Sequence, residues 1–238
     1  MGFSGGHRSS GGRGGDSLTD KPAGLPETQR KHWRDRYVET HYRDLPWFST
    51  RPYPGLRRVV ESGGWKPGTR ILDIGCGAGT NALFLSRAGF RAQGVDIAPG
   101  AIAAAKRRAE RLSASVEFRI SDALQLPFPA RCFGGVTDIG CFHTLPVRLR
   151  SAYAKEVARV LRPSGRYFLA CVAREFTGEL GPPHRLALEE ISRVFESQFV
   201  FLSTTFTGGW RDPRLPRGGL PAYDCLMLLR SEPQPPRR

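Results

Sequence analysis

The chain has 238 residues and a formal net charge of +14. This length suits one domain with short tails, and no apolar run approaches the roughly 20 residues that a membrane-spanning helix needs. The N-terminus lacks the apolar segment of a secretory signal. The five cysteines are scattered and contain no Cys-x-x-Cys pair, which argues against a disulfide framework or a structural zinc site. We therefore expect a cytoplasmic protein with no metal ligands and no membrane partner.

The first quarter of the chain divides into a tail and a lid. Residues 1–26 are rich in Gly and Ser and are predicted to be a disordered tail. Residues 27–66 are predicted to form a helical lid segment that contains two helices. In the first of these helices, Trp33, Tyr37 and His41 share one face. We interpret this stripe as ordinary packing, with substrate contact as the alternative.

Residues 67–231 are predicted to be the core, and residues 232–238 a second tail. Within the core, apolar runs of strand length alternate with helical patterns, which predicts a parallel sheet covered by helices on both faces. The predicted strands are 70–75, 92–96, 116–120, 133–139, 165–173, 200–206 and 223–229, and the predicted helices are 80–88, 99–112, 147–161 and 186–196.

The sequence ILDIGCGAGT marks the end of the first core strand. Gly75, Gly77 and Gly79 occupy alternate positions, which lets the backbone turn tightly and approach a ligand without an intervening Cβ. A helix follows directly, so the loop predicts a nucleotide-binding corner. The spacing is G-x-G-x-G and differs from the G-x-G-x-x-G of dinucleotide-binding loops. An NAD enzyme is therefore the weaker alternative.

This loop, with Asp73 before it, resembles the first motif of class I S-adenosylmethionine (SAM) methyltransferases. Acids also end the next two predicted strands, in AQGVDIAP and SDALQLPF. The resemblance implies SAM as cofactor and a Rossmann-like, seven-stranded, mostly parallel sheet with an antiparallel C-terminal hairpin. It implies that the Asp96 carboxylate accepts the ribose hydroxyls and that Asp122 grips the adenine. The remaining residues expected to bind the cofactor are Asp73, Gly75, Cys76, Gly77, Gly79, Ile97 and Ala123.

The fourth strand should deliver the sequence GCFHTLP to the same edge of the sheet. His143 is the candidate general base or acceptor-orienting group, because imidazole titrates near neutral pH. It could instead hydrogen-bond a backbone group of its loop. Asp138 is the second candidate catalytic residue, supporting the cofactor's methionine end; its alternative is to accept hydrogen bonds from backbone N–H groups. The sequence DIGCFHTLP lacks the Asn/Asp-Pro-Pro-Tyr/Phe pattern of exocyclic-amine methyltransferases.

A narrower resemblance lies in LPWFSTRPYPGLRRVVESGG, GCFHTLP and RVLRPSGRYFLACVARE. These segments look like the bacterial thiopurine/thiol-methyltransferase-like group, over roughly residues 40–230. Pro46 and Trp47 match a stretch that folds over the cofactor in that group, whereas Phe48, Ser49 and Thr50 depart from it. Trp47 is thus expected to cover the sulfonium, whose charge an aromatic face stabilises.

The function expected from these features is methyl transfer to a small-molecule S, N or O nucleophile by in-line displacement. Two alternatives stay open. The basic charge could dock the enzyme on RNA, a ribosome or a protein, although the arginines are spread through every segment and do not form one block. The chain could also bind SAM without catalysis. The sequence carries no indication of an oligomeric state.

Overall fold

A computed structural model describes residues 1–2, 24–176, 184–210 and 220–231. Within these ranges the chain forms α-helices and β-strands in regular alternation. The helices are α1 (Glu27–Glu39), α2 (Pro54–Glu61), α3 (Thr80–Arg87), α4 (Pro99–Arg111), α5 (Arg150–Val160) and α6 (Leu188–Phe195). The strands are β1 (Arg70–Ile74), β2 (Arg91–Asp96), β3 (Glu117–Ile120), β4 (Phe133–Ile139), β5 (Leu161–Val172), β6 (Phe199–Trp210) and β7 (Leu220–Leu229).

The strands form one sheet in the order β3-β2-β1-β4-β5-β7-β6. Strands β1 to β5 are parallel, and β7 is antiparallel to both β5 and β6. This arrangement confirms the predicted α/β fold with an antiparallel C-terminal hairpin. The chain runs outward from β1 to β3 and then returns to β4 on the other side of β1. The strand order therefore reverses beside β1, and α/β folds bind ligands at such a point.

The core lies on both faces of the sheet, as the near-continuous apolar strands predict. On β1, Leu72 and Ile74 pack into the larger cluster, with α5 and α6, while Ile71 packs on the opposite face beside Trp65 and Phe90. All three β1 side chains are fully buried. Burial on both faces fixes the position of β1 and of the loop that follows it.

Several predicted boundaries differ from the observed ones. The helix predicted at 147–161 begins only at Arg150, after a 3-10 turn over Val147–Leu149. Strand β5 begins at Leu161, earlier than the predicted 165, because Leu161 pairs with Phe133 before a register shift interrupts the pairing. In the part of the chain that the structure describes, no helix combines the length and apolar character needed to cross a bilayer.

Most of the two predicted tails, residues 3–23 and 232–238, lies outside the described residues. At the predicted boundary between tail and lid, the Leu25 side chain is buried in the core. The backbone N–H of Leu25 donates to the Asp122 carboxylate at 2.7 Å, which joins the residue before α1 to the end of β3.

Two glycines with the same left-handed backbone differ in their surroundings and give a matched test of packing. A Cβ at Gly79 (φ +80°) would lie 2.7 Å from Cζ of Phe118, whereas a Cβ at Gly89 (φ +87°) would meet nothing within 4 Å. Gly89→Ala should cost about 1–2 kcal/mol of unfolding free energy from backbone strain. Gly79→Ala should cost about 1–3 kcal/mol more, because it overpacks the Phe118 contact. Urea unfolding measures both, and equal losses would contradict the packing argument.

Candidate active site

A cavity of about 1250 Å³ lies above the carboxyl ends of the parallel strands. Its floor is the glycine loop with the ends of β2 and β4, and its cover is α1 with the segment from Tyr42 to Arg58. Pockets for a single small ligand typically measure about 300–1000 Å³. The cavity therefore has room for two ligands side by side, as a group transfer between them requires.

The glycine loop brings bare backbone to the cavity. Gly75, Gly77 and Gly79 all have positive φ angles, as their spacing predicts. At Gly77, which lines the cavity, a Cβ would come within 3.0 Å of the Tyr37 hydroxyl of α1. The loop and the cover therefore approach so closely at this point that only glycine leaves space between them.

Asp96 is the carboxylate that faces the cavity. Its Oδ2 accepts the N–H of Gly77 and its Oδ1 accepts the N–H of Ala98, both at 2.9 Å. Burial raises the pKa of the carboxyl, while the backbone donors oppose that rise. Each carboxylate oxygen can accept a second hydrogen bond. The carboxylate therefore lines the cavity and has acceptor capacity left on both oxygens.

Three further residues of the predicted cofactor site, Cys76, Ile97 and Ala123, line the cavity wall near Asp96. The Cys76 backbone N–H donates to the carbonyl of Val95 at 2.9 Å, which joins the glycine loop to β2. Burial raises the pKa of the Cys76 thiol well above its usual value, so the thiol stays protonated. Together these side chains give a mostly apolar wall of the kind that holds a planar ring.

Asp122 does not lie in the cavity wall, although Ser121 and Ala123 on either side of it do. Its carboxylate accepts the N–H groups of Leu25 and Leu124 at 2.7 and 2.9 Å. It also pairs with Arg30 at 3.2 Å. The Asp122 carboxylate, which was predicted to contact the adenine, thus faces the start of α1 and anchors the lid there.

Asp73 is also absent from the cavity wall and lies beneath the glycine loop. Its side chain is 2% exposed, and its Oδ1 accepts the Thr137 hydroxyl at 2.8 Å. Burial raises the pKa of this carboxyl to about 7. The residue therefore joins β1 to β4 below the glycine loop, and its predicted contact with the cofactor stays a prediction.

Asp138 is fully buried and outside the cavity wall. Its oxygens accept the N–H groups of Cys141 and Phe142 at 2.7 and 2.9 Å, and also the Tyr153 hydroxyl. The second of the two readings from the sequence therefore matches the geometry: Asp138 satisfies backbone N–H groups. It holds the loop after β4, and its carboxylate is not directed at a ligand as a catalytic role requires.

His143 reaches the cavity from that loop and is 5% exposed. Its Nδ1 accepts the backbone N–H of Val172 at 3.1 Å, so the proton of the neutral ring is on Nε2. Burial lowers the pKa of the imidazole to about 3, helped by His184 and Arg150. At neutral pH the side chain is uncharged, and its bond to Val172 agrees with the structural alternative, a hydrogen bond to the backbone. Its catalytic or orienting role stays a prediction.

Aromatic side chains form the cover. Trp47 lines the cavity, donates from Nε1 to the Tyr37 hydroxyl at 3.2 Å, and meets Trp33 edge-on at 5.7 Å. Trp33 and Tyr37 line the cavity as well, and Tyr37 also packs against the cluster of Tyr42 and Leu45, as the packing interpretation predicts, whereas His41 of the same stripe does not line it. The sequence carried one sign that this stripe faces a cavity: apolar side chains do not recur around it at helical spacing. In agreement, α1 contains no buried residue.

Other lining residues had not been predicted. Tyr53 and three arginines, Arg51, Arg57 and Arg58, form a side wall, while Val172 and Leu220 close the cavity toward β5 and β7. The hydroxyl of Tyr53 donates to Asp224 of β7 at 2.6 Å, a contact across 171 positions of the chain. No local sequence pattern indicates a contact of this span.

Comparison with known proteins agrees with this geometry. A family model described as "Methyltransferase domain" matches residues 71–165. The chain is 32% identical over 151 residues to 2-heptyl-1-hydroxyquinolin-4(1H)-one methyltransferase of Mycobacteroides abscessus, covering 63% of this chain and 66% of that enzyme. It is 34% identical over 182 residues to demethylmenaquinone methyltransferase of Thermus thermophilus, covering 73% and 77%.

Among solved structures, magnesium protoporphyrin IX methyltransferase from Synechocystis PCC 6803, with bound SAH (S-adenosylhomocysteine), superposes with a TM-score of 0.65 at 16% identity. The match covers 85% of this chain and 98% of that one, and at this identity it shows the fold. The predicted G-x-G-x-G resemblance is thereby confirmed at the level of the family, while the narrower thiopurine/thiol-like group is not. The chain belongs to the methyltransferase-domain family and is a class I SAM-dependent methyltransferase.

Proposed function

We propose that the enzyme methylates a small molecule held in the covered cavity beside the cofactor. The observation that carries the proposal is the size of that cavity, about 1250 Å³, under an aromatic cover. The two relatives described above are named for small-molecule acceptors, a hydroxyquinolinone and a demethylated quinone. The five cysteines are free, which supports the cytoplasmic location expected from their spacing.

The residues at the β1–β2 end of the cavity suit the cofactor. We assign Asp96 to the ribose, Ile97 and Ala123 to the adenine faces, and the backbone of Gly75 and Gly77 to the methionine portion. Trp47 covers the sulfonium from above. When bound, SAM supplies a methyl group on an activated leaving group, so the task left to the protein is to align the acceptor with it.

The opposite end of the cavity suits the acceptor. We assign four residues that line the cavity to this end: His143, Val172, Tyr53 and Leu220. The His143 ring, which the Val172 backbone holds through Nδ1, is assigned the role of orienting the acceptor. Asp138 positions His143 indirectly, because it holds the backbone at Cys141 and Phe142.

The alternative acceptors, RNA, a ribosome or a protein, are favoured by the net charge of +14. A polymer would have to present its reactive group beneath α1, whose Trp33 and Tyr37 line the cavity. Radiolabelled methyl transfer from SAM into a cell extract, separated into small-molecule, RNA and protein fractions, distinguishes these acceptors. We expect label in the small-molecule fraction that is absent with Asp96→Asn; label confined to RNA or protein would contradict the proposal.

Replacing Asp96 should remove cofactor binding specifically. Asp96→Asn deprives the ribose hydroxyls of a charged acceptor and should weaken binding of SAH about a hundredfold. The matched control is Asp122→Asn, because Asp122 is a strand-end acid that faces Leu25 and Arg30 instead of the cavity. Its effect should stay below about tenfold. Calorimetric titration measures both affinities, and similar losses in the two variants would contradict the assignment.

Replacement of His143 should separate an orienting role from that of a general base. His143→Ala leaves the buried N–H of Val172 unpaired and should cost about 1–3 kcal/mol of unfolding free energy. His143→Asn offers an oxygen near the Nδ1 position and should recover most of that loss. Because the imidazole pKa is about 3, ionisation of His143 should not change kcat/KM near neutral pH. Both variants should therefore show the same pH dependence of kcat/KM in this range as the unaltered enzyme. A neutral limb that disappears in both variants would identify His143 as the base.

A further inference from the structure

The charged side chains around the cavity are unevenly distributed. Among the described residues that line it, Asp96 is the only carboxylate, whereas Arg36, Arg51, Arg57 and Arg58 are all cationic. Asp96 is assigned to the ribose, which leaves the four arginines without a second carboxylate in the cavity wall. SAM has a sulfonium and an ammonium against one carboxylate and so adds one net positive charge, and the occupied site therefore favours a negative charge on its other ligand.

Three of these cations, Arg51, Arg57 and Arg58, lie close together in the chain within the covering segment, and we call them the arginine wall. The segment that carries them is fixed to α3 at two points. The Thr80 hydroxyl donates to the carbonyl of Ser49 at 2.6 Å, and the N–H of Tyr53 donates to the Asn81 side chain at 2.9 Å. The wall is thus part of a braced structure beside the glycine loop.

The members of the wall differ in how they are engaged. Arg58 pairs with the buried carboxylate of Asp224 at 3.0 Å, and Arg57 pairs with Glu61 at 3.1 Å between two exposed side chains. Among the described residues, Arg51 forms no salt bridge, and its side chain is exposed. Arg51 and Arg57 can therefore turn to a ligand at small cost, since an exposed ion pair contributes little.

Three side chains assigned to the acceptor end are poorly suited to remove a proton. His143 uses Nδ1 to accept the N–H of Val172. The Tyr53 hydroxyl donates to Asp224, which Arg58 also engages. Burial raises the pKa of the Cys141 thiol well above its usual value, so Cys141 stays protonated. None of these three side chains would therefore receive the proton of an alcohol or amine acceptor.

We propose that the acceptor is an aromatic organic acid that enters the cavity as its anion, is held by the arginine wall, and is methylated on the ionised group. This substrate class rests on the proposed small-molecule function and deepens it. It includes acidic N-hydroxy heterocycles, carboxylic acids, acidic phenols and thiols. Aromatic character follows from the cover, where Trp33, Tyr37, Trp47 and Phe48 present ring faces and edges.

The step balances without a base. A lone pair of the anion forms the new bond to the methyl carbon, the carbon–sulfur bond breaks, and its electron pair remains on sulfur. The negative charge of the acceptor and the positive charge of the sulfonium disappear together, and no proton is transferred. The arginines favour the ionised acceptor in the ground state and release a neutral ester, ether or thioether afterwards.

The pH dependence should therefore follow the acceptor. The groups that face it are the arginine wall, His32 and Arg36 from α1, His143 from the loop after β4, and Asp96 from β2. Arginine stays charged throughout the accessible range. Affinity for the acid should fall as pH drops through the acid's own pKa, and the midpoint should move when a stronger acid replaces a weaker one.

Matched pairs of probes test the proposal by binding, so no turnover is required. The pairs are 1-hydroxyquinolin-4(1H)-one with quinolin-4(1H)-one, and 2-naphthoate with 2-naphthalenemethanol. Each is titrated at pH 8 into the SAH complex, with the fluorescence of Trp33 and Trp47 as the reporter, because both line the cavity. We expect each anion to bind at least about tenfold more tightly than its neutral partner.

Two variants show whether the arginine wall causes the preference for the anion. Arg51→Gln combined with Arg57→Gln should reduce the anion's advantage to about twofold or less, while affinity for the neutral partners stays unchanged. Arg58 is left intact because it pairs with buried Asp224. The control is Arg107→Gln, an equal loss of charge from an exposed arginine of α4 outside the cavity. It should keep the full preference.

Three outcomes would overturn the proposal. The first is equal binding, or no binding, of both members of each pair. The second is an anion preference that survives in the double variant. The third is a loss of SAH affinity in the double variant as large as the loss for the anion, which would assign the wall to the carboxylate of the cofactor. In each case SAH binding by the unaltered enzyme and label in the small-molecule fraction would leave the proposed function standing.

Discussion

The hydrogen bonds that Asp96 accepts from Gly77 and Ala98 hold the site together. One residue at the end of β2 thereby fixes both the glycine loop after β1 and Ala98, the residue directly before α4. The loop must stay in its left-handed conformation to expose its backbone to the cavity. The carboxylate must face the cavity to accept the hydroxyls of the proposed ribose. Because the same two bonds secure both conditions, cofactor recognition and loop geometry cannot be changed separately.

Buried acids support the site from below without facing it. Asp73 joins β1 to β4 through Thr137, and Asp138 fixes the backbone that carries His143. Burial raises the pKa of these carboxyls to about 7 and about 6, respectively, so each binds a proton more tightly in the folded chain than in the unfolded chain. Stability from these groups therefore declines as pH rises from about 4 to about 7. This loss of stability accompanies the positioning of the glycine loop after β1 and of the loop after β4.

The sequence was sufficient for the fold and for the general place of the site, because both depend on local patterns. Alternating strand and helix patterns predicted the sheet, and the glycine spacing predicted the loop and its family. Local patterns could not distinguish the acids at the strand ends. Asp96 faces the cavity while Asp122 turns to Leu25, 97 positions earlier in the chain. The tertiary structure decides which backbone N–H group donates to each carboxylate. It also decides the hydrogen bond from Tyr53 to Asp224.

The cover links ligand binding to the order of the N-terminal segment. Helix α1 has 13 residues and none is buried, and isolated helices of about this length are marginal in water. Its stability therefore depends on contacts with the rest of the chain, which include the Asp122 anchor, the contact of Tyr37 with Trp47 and packing against α4. A cofactor and an aromatic acceptor in the cavity would add contacts to Trp33 and Tyr37 that the helix otherwise lacks. The occupied site would stabilise its own cover, and the cover would in turn exclude the water that weakens the attraction between an anion and the arginine wall.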